Sequence, residues 1–309
     1  MTPYTANQTC SKLMLGTVQF GLPYGVANRT GQPSYSEVRQ MVATAFEGGI
    51  HCFDTAAAYG TSERVLGQAL AELGLTEQVC VVTKVRPLQE AELADPHLAA
   101  TAIEASVAES RRLLRMDCLP IVLFHRESDA IYLPVLKSLR DRGWLRAYGV
   151  SCDHDPEPVG KFLLQSIDAV QLPGNLLDRR HLHSPVLASA AQQGVKVFIR
   201  SVFLQGLLVM PEAEIPTALH AVIPVRQQLF ELAASAGLTP AELALRYLLS
   251  FPSVTSVLVG VETVAQIRDN LALQTHGPLP ADLFTAVNAA VPHLPQLCIT
   301  PRLWPPRPT

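Results

Sequence analysis

Cys52-Phe-Asp-Thr-Ala-Ala-Ala-Tyr-Gly-Thr-Ser-Glu-Arg-Val-Leu-Gly67 is the stretch whose reading decides the fold. An apolar run ends at Asp54, and a short loop carries Tyr59. An amphipathic helix follows, with Val65, Leu66, Ala69, Leu70 and Leu73 on one face. Strand, loop and helix in that order make one unit of a parallel α/β fold. Such folds place their chemistry in loops at the carboxyl ends of the strands. The carboxylate at the strand end and the phenol five residues later are therefore candidate catalytic groups. Taken alone, the Asp reads more readily as a helix cap or loop anchor and the Tyr as packing.

Outward from this unit the same rhythm recurs. Leu13 to Gly16 reads as the first strand, with a glycine-punctuated loop to Gly25 after it. Ser34 and Glu37 form a capping box that opens a helix ending at Gly48-Gly49. The second strand is His51 to Asp54 and the third Val79 to Lys84; Asp95-Pro96 then starts a long helix through Arg115. Leu119 to His125 is the fourth strand, with a helix from Ala130 to Arg142. Ala147 to Ser151 is the fifth, with a helix from Pro158 to Gln165. A sixth strand begins at Ala169 to Gln171, before a helix from Pro185 to Gln193. Val195 to Ser201 is the seventh.

An irregular stretch from Val202 to Pro216 comes next, then two helices. The second opens on Thr239-Pro240-Ala-Glu242, which predicts another capping box. Val254 to Gly260 and Thr263 to Leu273 complete an eighth unit. The tail is rich in proline from Pro278, and its tip, Pro-Pro-Arg-Pro-Thr, is expected to be poorly ordered.

Eight alternations without a second set of strands predict a single-domain (β/α)8 TIM barrel over 1–309, with its core at 13–275 and a C-terminal tail at 276–309. A doubly wound open sheet fits less well, because no G-x-G-x-x-G follows the first strand. There is also no P-loop, H-E-x-x-H motif or nucleophile elbow.

Composition narrows the function classes. The 309 residues are 48% hydrophobic and 17% charged with a net charge of −3, so the basic footprint for nucleic acid or an anionic membrane is missing. No apolar run reaches the about 20 residues of a spanning helix, and Met1 to Leu15 lacks the pattern of a signal peptide. Cysteines 10, 52, 80, 118, 152 and 298 are scattered singly, which suits reduced thiols in a cytoplasmic protein rather than a disulfide framework.

In the barrel reading Asp54, Lys84 and His125 end consecutive strands, and Tyr59 lies just beyond the first of them. A lysine ending a buried strand needs a partner, and Asp54 is one strand away. A phenol beside an ammonium becomes a stronger acid, able to protonate a carbonyl oxygen as hydride arrives. A histidine at the same rim can orient that carbonyl. The bland alternative is a structural ion pair with an unrelated histidine and tyrosine. The shared position on neighbouring strands favours the catalytic reading.

Leu15-Gly-Thr17, Phe53-Asp-Thr-Ala56, Tyr59-Gly60, Leu66-Gly67, Thr83-Lys84 and Tyr148-Gly-Val-Ser151 together resemble the aldo-keto reductase superfamily, over nearly the whole chain. The resemblance implies a barrel that reduces aldehydes or ketones with a nicotinamide cofactor, usually NADPH, without a Rossmann domain. The family's catalytic tetrad maps onto Asp54, Tyr59, Lys84 and His125. Gly16, Thr17 and Asp54 would line the nicotinamide ribose, and Ser151 and Gln171 would hold the carboxamide, with Asn175 in a shared loop. Ser201, Val202, Phe203, Leu204, Gln205 and Gly206 would wrap the pyrophosphate, and Thr263, Gln266 and Asn270 would face the adenosine end.

Three departures bear on the cofactor. Cys152 stands where the family commonly has asparagine, and Arg200 where an aromatic ring supports the nicotinamide. Gly260 and Gln266 replace basic residues that grip a 2′-phosphate, leaving Arg268 as a substitute. The expectation is NADP(H) with a modest preference over NAD(H). Arg200 is expected either to stack on the nicotinamide or to turn away to a carboxylate such as Asp178.

The chain is thus read as a monomeric cytoplasmic oxidoreductase acting on a small-molecule carbonyl substrate, such as a sugar-like aldehyde. The alternative is a cofactor-bound regulatory or redox-sensing barrel with little turnover. No metal is expected, since His181-Leu-His183 follows a loop and lacks partner ligands. Asp153-His154-Asp155 reads as a solvated loop, and Arg111-Arg112 and Arg179-Arg180 as solvated charge.

Overall fold

The computed structural model describes residues 10–25, 28 and 31–304. Residues 1–9 and the proline-rich tip at 305–309, for which disorder is expected, lie outside the described residues. Eight parallel strands close into a barrel in sequence order: β1 Leu13–Gly16, β2 Cys52–Asp54, β3 Cys80–Val85, β4 Leu119–Phe124, β5 Leu145–Ser151, β6 Ala169–Pro173, β7 Lys196–Arg200 and β8 Ser256–Gly260. Closure is made by β1, which pairs Leu15 with Phe53 of β2 and with Val259 of β8. The single-domain (β/α)8 barrel expected from the alternation is the observed fold.

The period-2 geometry of a strand sorts its side chains into two cores. Met14, Cys52, Cys80, Val82, Ile121, Leu123, Ala169 and Phe198 form a small cluster inside the barrel. The intervening residues, including Leu13, Leu15, Phe53, Val81, Val122 and Val150, join the larger core between strands and helices. Continuing the inward register one step towards the carboxyl ends reaches Asp54, Lys84, His125 and Gln171. The pleat that fills the barrel thus also aims those four side chains at its open end.

Local signals set the helix boundaries. Ser34 accepts from the Glu37 amide while Glu37 Oε2 accepts from the Ser34 amide at 2.8 Å, so the helix Tyr35–Glu47 starts on a complete capping box. Asp95 caps the helix Pro96–Leu114, which stops where Arg115 turns left-handed at φ 57°. At the helix Pro240–Leu249 only half of the expected box forms. Thr239 accepts from the Glu242 amide, but the Glu242 carboxylate turns to Arg246 at 3.0 Å and His276 at 2.8 Å. The Arg246 guanidinium and the His276 ring together outcompete one backbone amide for it.

The tail is more structured than its prolines suggest. A helix at Ala281–Ala290 packs on the helix Ile223–Ser235. Arg179 binds it by donating to the carbonyls of Asn288 and Val291 at 2.9 and 2.5 Å, so it is not the solvated charge expected from sequence. Arg111 also departs from that reading, donating to the Asp117 carbonyl and lying over the Trp144 ring. Among the described residues no helix is long and apolar enough to cross a membrane.

Candidate active site

The carboxyl ends of the strands open into a cavity of about 1110 Å³. Asp54 at the end of β2 lines its floor, and Lys84 near the end of β3 lies just behind it, outside the lining, with Nζ 2.6 Å from Oδ1 and both side chains almost fully buried. Gln171, from β6, donates to the same carboxylate oxygen at 2.7 Å. Lys84 also donates to the Thr55 carbonyl at 2.9 Å, and its Nζ lies over the Tyr59 ring, 5.0 Å from the centroid. Tyr59 meets His125 edge to face, with centroids 5.6 Å apart and planes at 89°. The four residues expected to act together are therefore in one contact chain.

The Tyr59 loop is held by backbone. Thr55 donates to Val82 O at 2.8 Å and Ala57 to Lys84 O at 3.1 Å, extending the β2–β3 ladder past the strand end. Gly21 packs so closely beneath the loop that a Cβ there would lie 1.8 Å from Tyr59 O and 2.5 Å from the Ser62 amide. Ser62 hydroxyl donates to Thr17 O at 2.7 Å, and Thr17 hydroxyl donates to Asp54 O at 2.8 Å. Thr17, expected at the cofactor, is fully buried and instead stitches β1 to the loop.

Electrostatics separate the two basic side chains. Burial alone would push the Lys84 ammonium down, but the Asp54 charge, aided by Tyr59, overcomes it and holds the group above its ordinary value. His125 moves the other way. Burial, then the positive charges of Lys84, Arg200 and Arg126, push it down to about 3, so the imidazole is neutral at physiological pH. Its Nδ1 is buried without a hydrogen-bond partner. A neutral imidazole, a cation and a phenol at one floor can bind and protonate an oxygen that gains negative charge.

The remaining expected residues divide by position. Gly16, Ser151, Gln171, Arg200, Ser201, Val202, Phe203, Gln205, Gly206, Gly260, Gln266 and Asn270 line the cavity with Asp54, Tyr59 and His125. Leu204 and Thr263 do not: Leu204 is buried in the outer core, and Thr263 caps the helix Val264–Thr275 by accepting from the Gln266 amide. Asn175 acts from behind, donating to Ser201 O at 3.2 Å. The loop after β7 is strained, with Ser201, Leu204 and Gln205 at φ 69°, 48° and 54°.

Arg200 does not pair with Asp178. It donates to Cys152 O at 3.0 Å and faces the cavity. Asp178 is occupied by His154 at 2.8 Å and by Arg180 at 2.8 and 2.9 Å, which keeps its carboxyl below the ordinary range despite burial. Neither His154 nor Arg180 is therefore the solvated group read from sequence. His181 and His183 serve separate partners, the Asp153 carbonyl and the Tyr247 hydroxyl.

Sequence reasoning missed part of the wall. Tyr24 lines the cavity and accepts from Gln205 Nε2 at 3.2 Å, joining the loops after β1 and β7. Arg126, Glu127, Ser128, Asp153 and Arg302 make the wall near His125 polar, and Arg302 pairs with Asp153 at 2.9 Å. Glu262 and Asp269 join Gly260, Gln266 and Asn270 at the other end, whereas Arg268 does not line the cavity. Gln266, Asp269, Asn270 and Leu273, at helical spacing on the helix Val264–Thr275, were the signal available for that end, with Glu262 in the turn before it.

Residues 12–292 match the Aldo/keto reductase family. The chain is 28% identical over 302 residues to an NADH-specific methylglyoxal reductase of Escherichia coli (strain K12), covering 87% of this chain and 91% of that one. It is 28% identical over 258 residues to an L-galactose dehydrogenase of Arabidopsis thaliana, covering 76% of each. In structure it resembles the holo form of aldo-keto reductase AKR11C1 from Bacillus halodurans. The TM-score is 0.77 at 23% identity, over 95% of this chain and 96% of that one.

Proposed function

The chain belongs to the aldo/keto reductase family of carbonyl-reducing oxidoreductases, and on that premise we propose that it reduces a small polar aldehyde or ketone with NADH, Tyr59 supplying the proton. The observation that carries this reading is the contact chain Asp54–Lys84–Tyr59–His125 at the floor of the cavity. When bound, a dihydronicotinamide supplies hydride to the carbonyl carbon. Tyr59 gives its hydroxyl proton to the carbonyl oxygen, and the Lys84 ammonium beside its ring stabilises the phenolate that remains. His125, neutral by virtue of burial, binds that oxygen without competing for the proton.

The cavity fits a dinucleotide together with a small substrate, being larger than the roughly 300–1000 Å³ of ordinary ligand pockets. Ser151 and Gln171 would hold the carboxamide, the strained loop from Ser201 to Gly206 the pyrophosphate, and Gln266 and Asn270 the adenosine. Glu262 and Asp269 line the adenosine end, and among the described residues of β8 and the helix after it no lysine or arginine lines the cavity, Arg268 standing outside that lining. That lining disfavours a 2′-phosphate, so NADH is proposed in place of the NADP(H) expected from sequence. A relative whose name specifies NADH supports the choice.

The polar wall around Arg126, Glu127, Ser128 and Asp153 suits a hydrophilic substrate, a sugar-like or dicarbonyl aldehyde. Turnover of an aldehyde and aldose panel with NADH and NADPH, in metal-free buffer, tests the proposal. NADH oxidation dependent on a small polar aldehyde is expected. Cofactor binding without turnover of any carbonyl would favour the regulatory barrel instead, and turnover with NADPH alone would reverse the cofactor choice.

A further inference from the structure

Cys10, Cys52 and Cys80 are far apart in sequence and carry no recognisable spacing, yet their three sulfurs lie within 4.8 Å of one another. Cys52 and Cys80 are register partners at the first positions of β2 and β3. Both face the barrel interior at its amino-terminal end and are fully buried, while Cys10 covers them and is partly exposed. The cluster lies on the opposite side of the inner core from the cavity, and nothing in the proposed reaction uses it. Three sulfurs bound to one centre at about 2.3 Å each stand roughly 3.5–4 Å apart. Sulfurs within 4.8 Å of one another reach that geometry by closing up to about 1 Å.

Charge decides what such a centre would be. The residues packed with Cys52 and Cys80 inside the barrel, among them Met14, Val82, Ile121 and Leu123, are apolar. A zinc ion held by three thiolates would leave a net negative charge buried without a partner, and it would lack a fourth protein ligand.

We infer that Cys10, Cys52 and Cys80 form a binding site for a trivalent thiophilic metalloid, with arsenite as its probe. The reaction conserves charge and oxidation state. Each As–O bond of As(OH)3 is replaced by an As–S bond, and each thiol proton leaves with a hydroxide as water. Arsenic stays trivalent, and a neutral tristhiolate remains in an apolar surround. The exchange places no net charge in the buried barrel interior, where Cys52 and Cys80 are fully buried. Cys10, the one partly exposed ligand, gives the entry path.

The test is native intact-mass spectrometry of the full chain with one equivalent of arsenite, and X-ray absorption at the arsenic edge. One arsenic bound with loss of three hydrogens, and three sulfur neighbours, is expected. Cys10→Ser alters the exposed ligand and leaves the two barrel positions intact, with circular dichroism checking its fold. It should weaken binding beyond the roughly 10- to 100-fold typical of outer-shell changes at metal sites. Cys118→Ser and Cys298→Ser should bind as the parent does. Undiminished binding to Cys10→Ser, two sulfur neighbours, loss of two hydrogens without arsenic, or no uptake by the parent chain would each overturn the assignment.

Discussion

Lys84 Nζ lies 2.6 Å from Asp54 Oδ1, a buried ion pair that ties β3 to β2 at the floor of the cavity. Burying two charges is costly, and such pairs rarely add net stability. This pair fixes the ammonium beside the Tyr59 ring, and Gln171 completes it from β6 by donating to the same oxygen.

Removing one partner strands the other. Lys84→Met leaves the Asp54 charge buried and should destabilise the fold by about 3–5 kcal/mol while abolishing turnover. Asp54→Asn with Lys84→Met should recover part of that stability and none of the activity. Urea unfolding of the two variants checks both statements; a double variant no more stable than the single would contradict the account of the pair.

His125 gives a pH signature. Its folded value is pushed down to about 3, below the value of about 6.5 for an unperturbed histidine. Between those values the unfolded chain binds a proton that the native chain does not, so stability falls as pH is lowered through the window. At pH 5 this amounts to about 1–2 kcal/mol after screening by cavity water. Unfolding of His125→Asn at pH 7.5 and pH 5 should lack that loss. In the parent enzyme, kcat/KM should show no limb near pH 6.5 from this residue.

Gly21 controls the placement of Tyr59 without touching substrate. A methyl group there meets the Tyr59 carbonyl and the Ser62 amide, both backbone, so the loop must move. Gly21→Ala should lower kcat on the order of 100-fold, the cost of a misplacement of about 1 Å, with nucleotide affinity retained. Steady-state kinetics and a nucleotide titration together read this out.

Much of the barrel was legible because strand and helix periods alternate cleanly, and the inward register of β2, β3 and β4 follows from counting by twos to Asp54, Lys84 and His125. What was not legible depended on three-dimensional competition. Glu242 abandons its capping role for Arg246 and His276, and Asp178 pairs with His154 and Arg180 rather than Arg200. Nothing in the spacing of Cys10, Cys52 and Cys80 announced that they meet. Thr17 lies in a family motif beside Gly16, but the strand pleat turns its side chain towards Ser62 instead of the cavity.

Arg200 stands free of carboxylate partners among the described residues and faces the cavity. A guanidinium can stack on a planar ring, and it tolerates the neutral reduced nicotinamide better than the positively charged oxidised one. Arg200→Tyr should therefore raise affinity for oxidised relative to reduced cofactor. Titrations of both forms measure the ratio; an unchanged ratio would remove Arg200 from the nicotinamide face.

The most direct test of the central claim is Tyr59→Phe, assayed for carbonyl turnover and for nucleotide affinity in parallel. The phenol is needed only as charge develops on the oxygen, so its loss belongs in kcat. The account predicts a fall in kcat of about 100- to 10,000-fold, the range for removing a general acid, with the nucleotide Kd nearly unchanged. A Tyr59→Phe enzyme that keeps most of its turnover would contradict it.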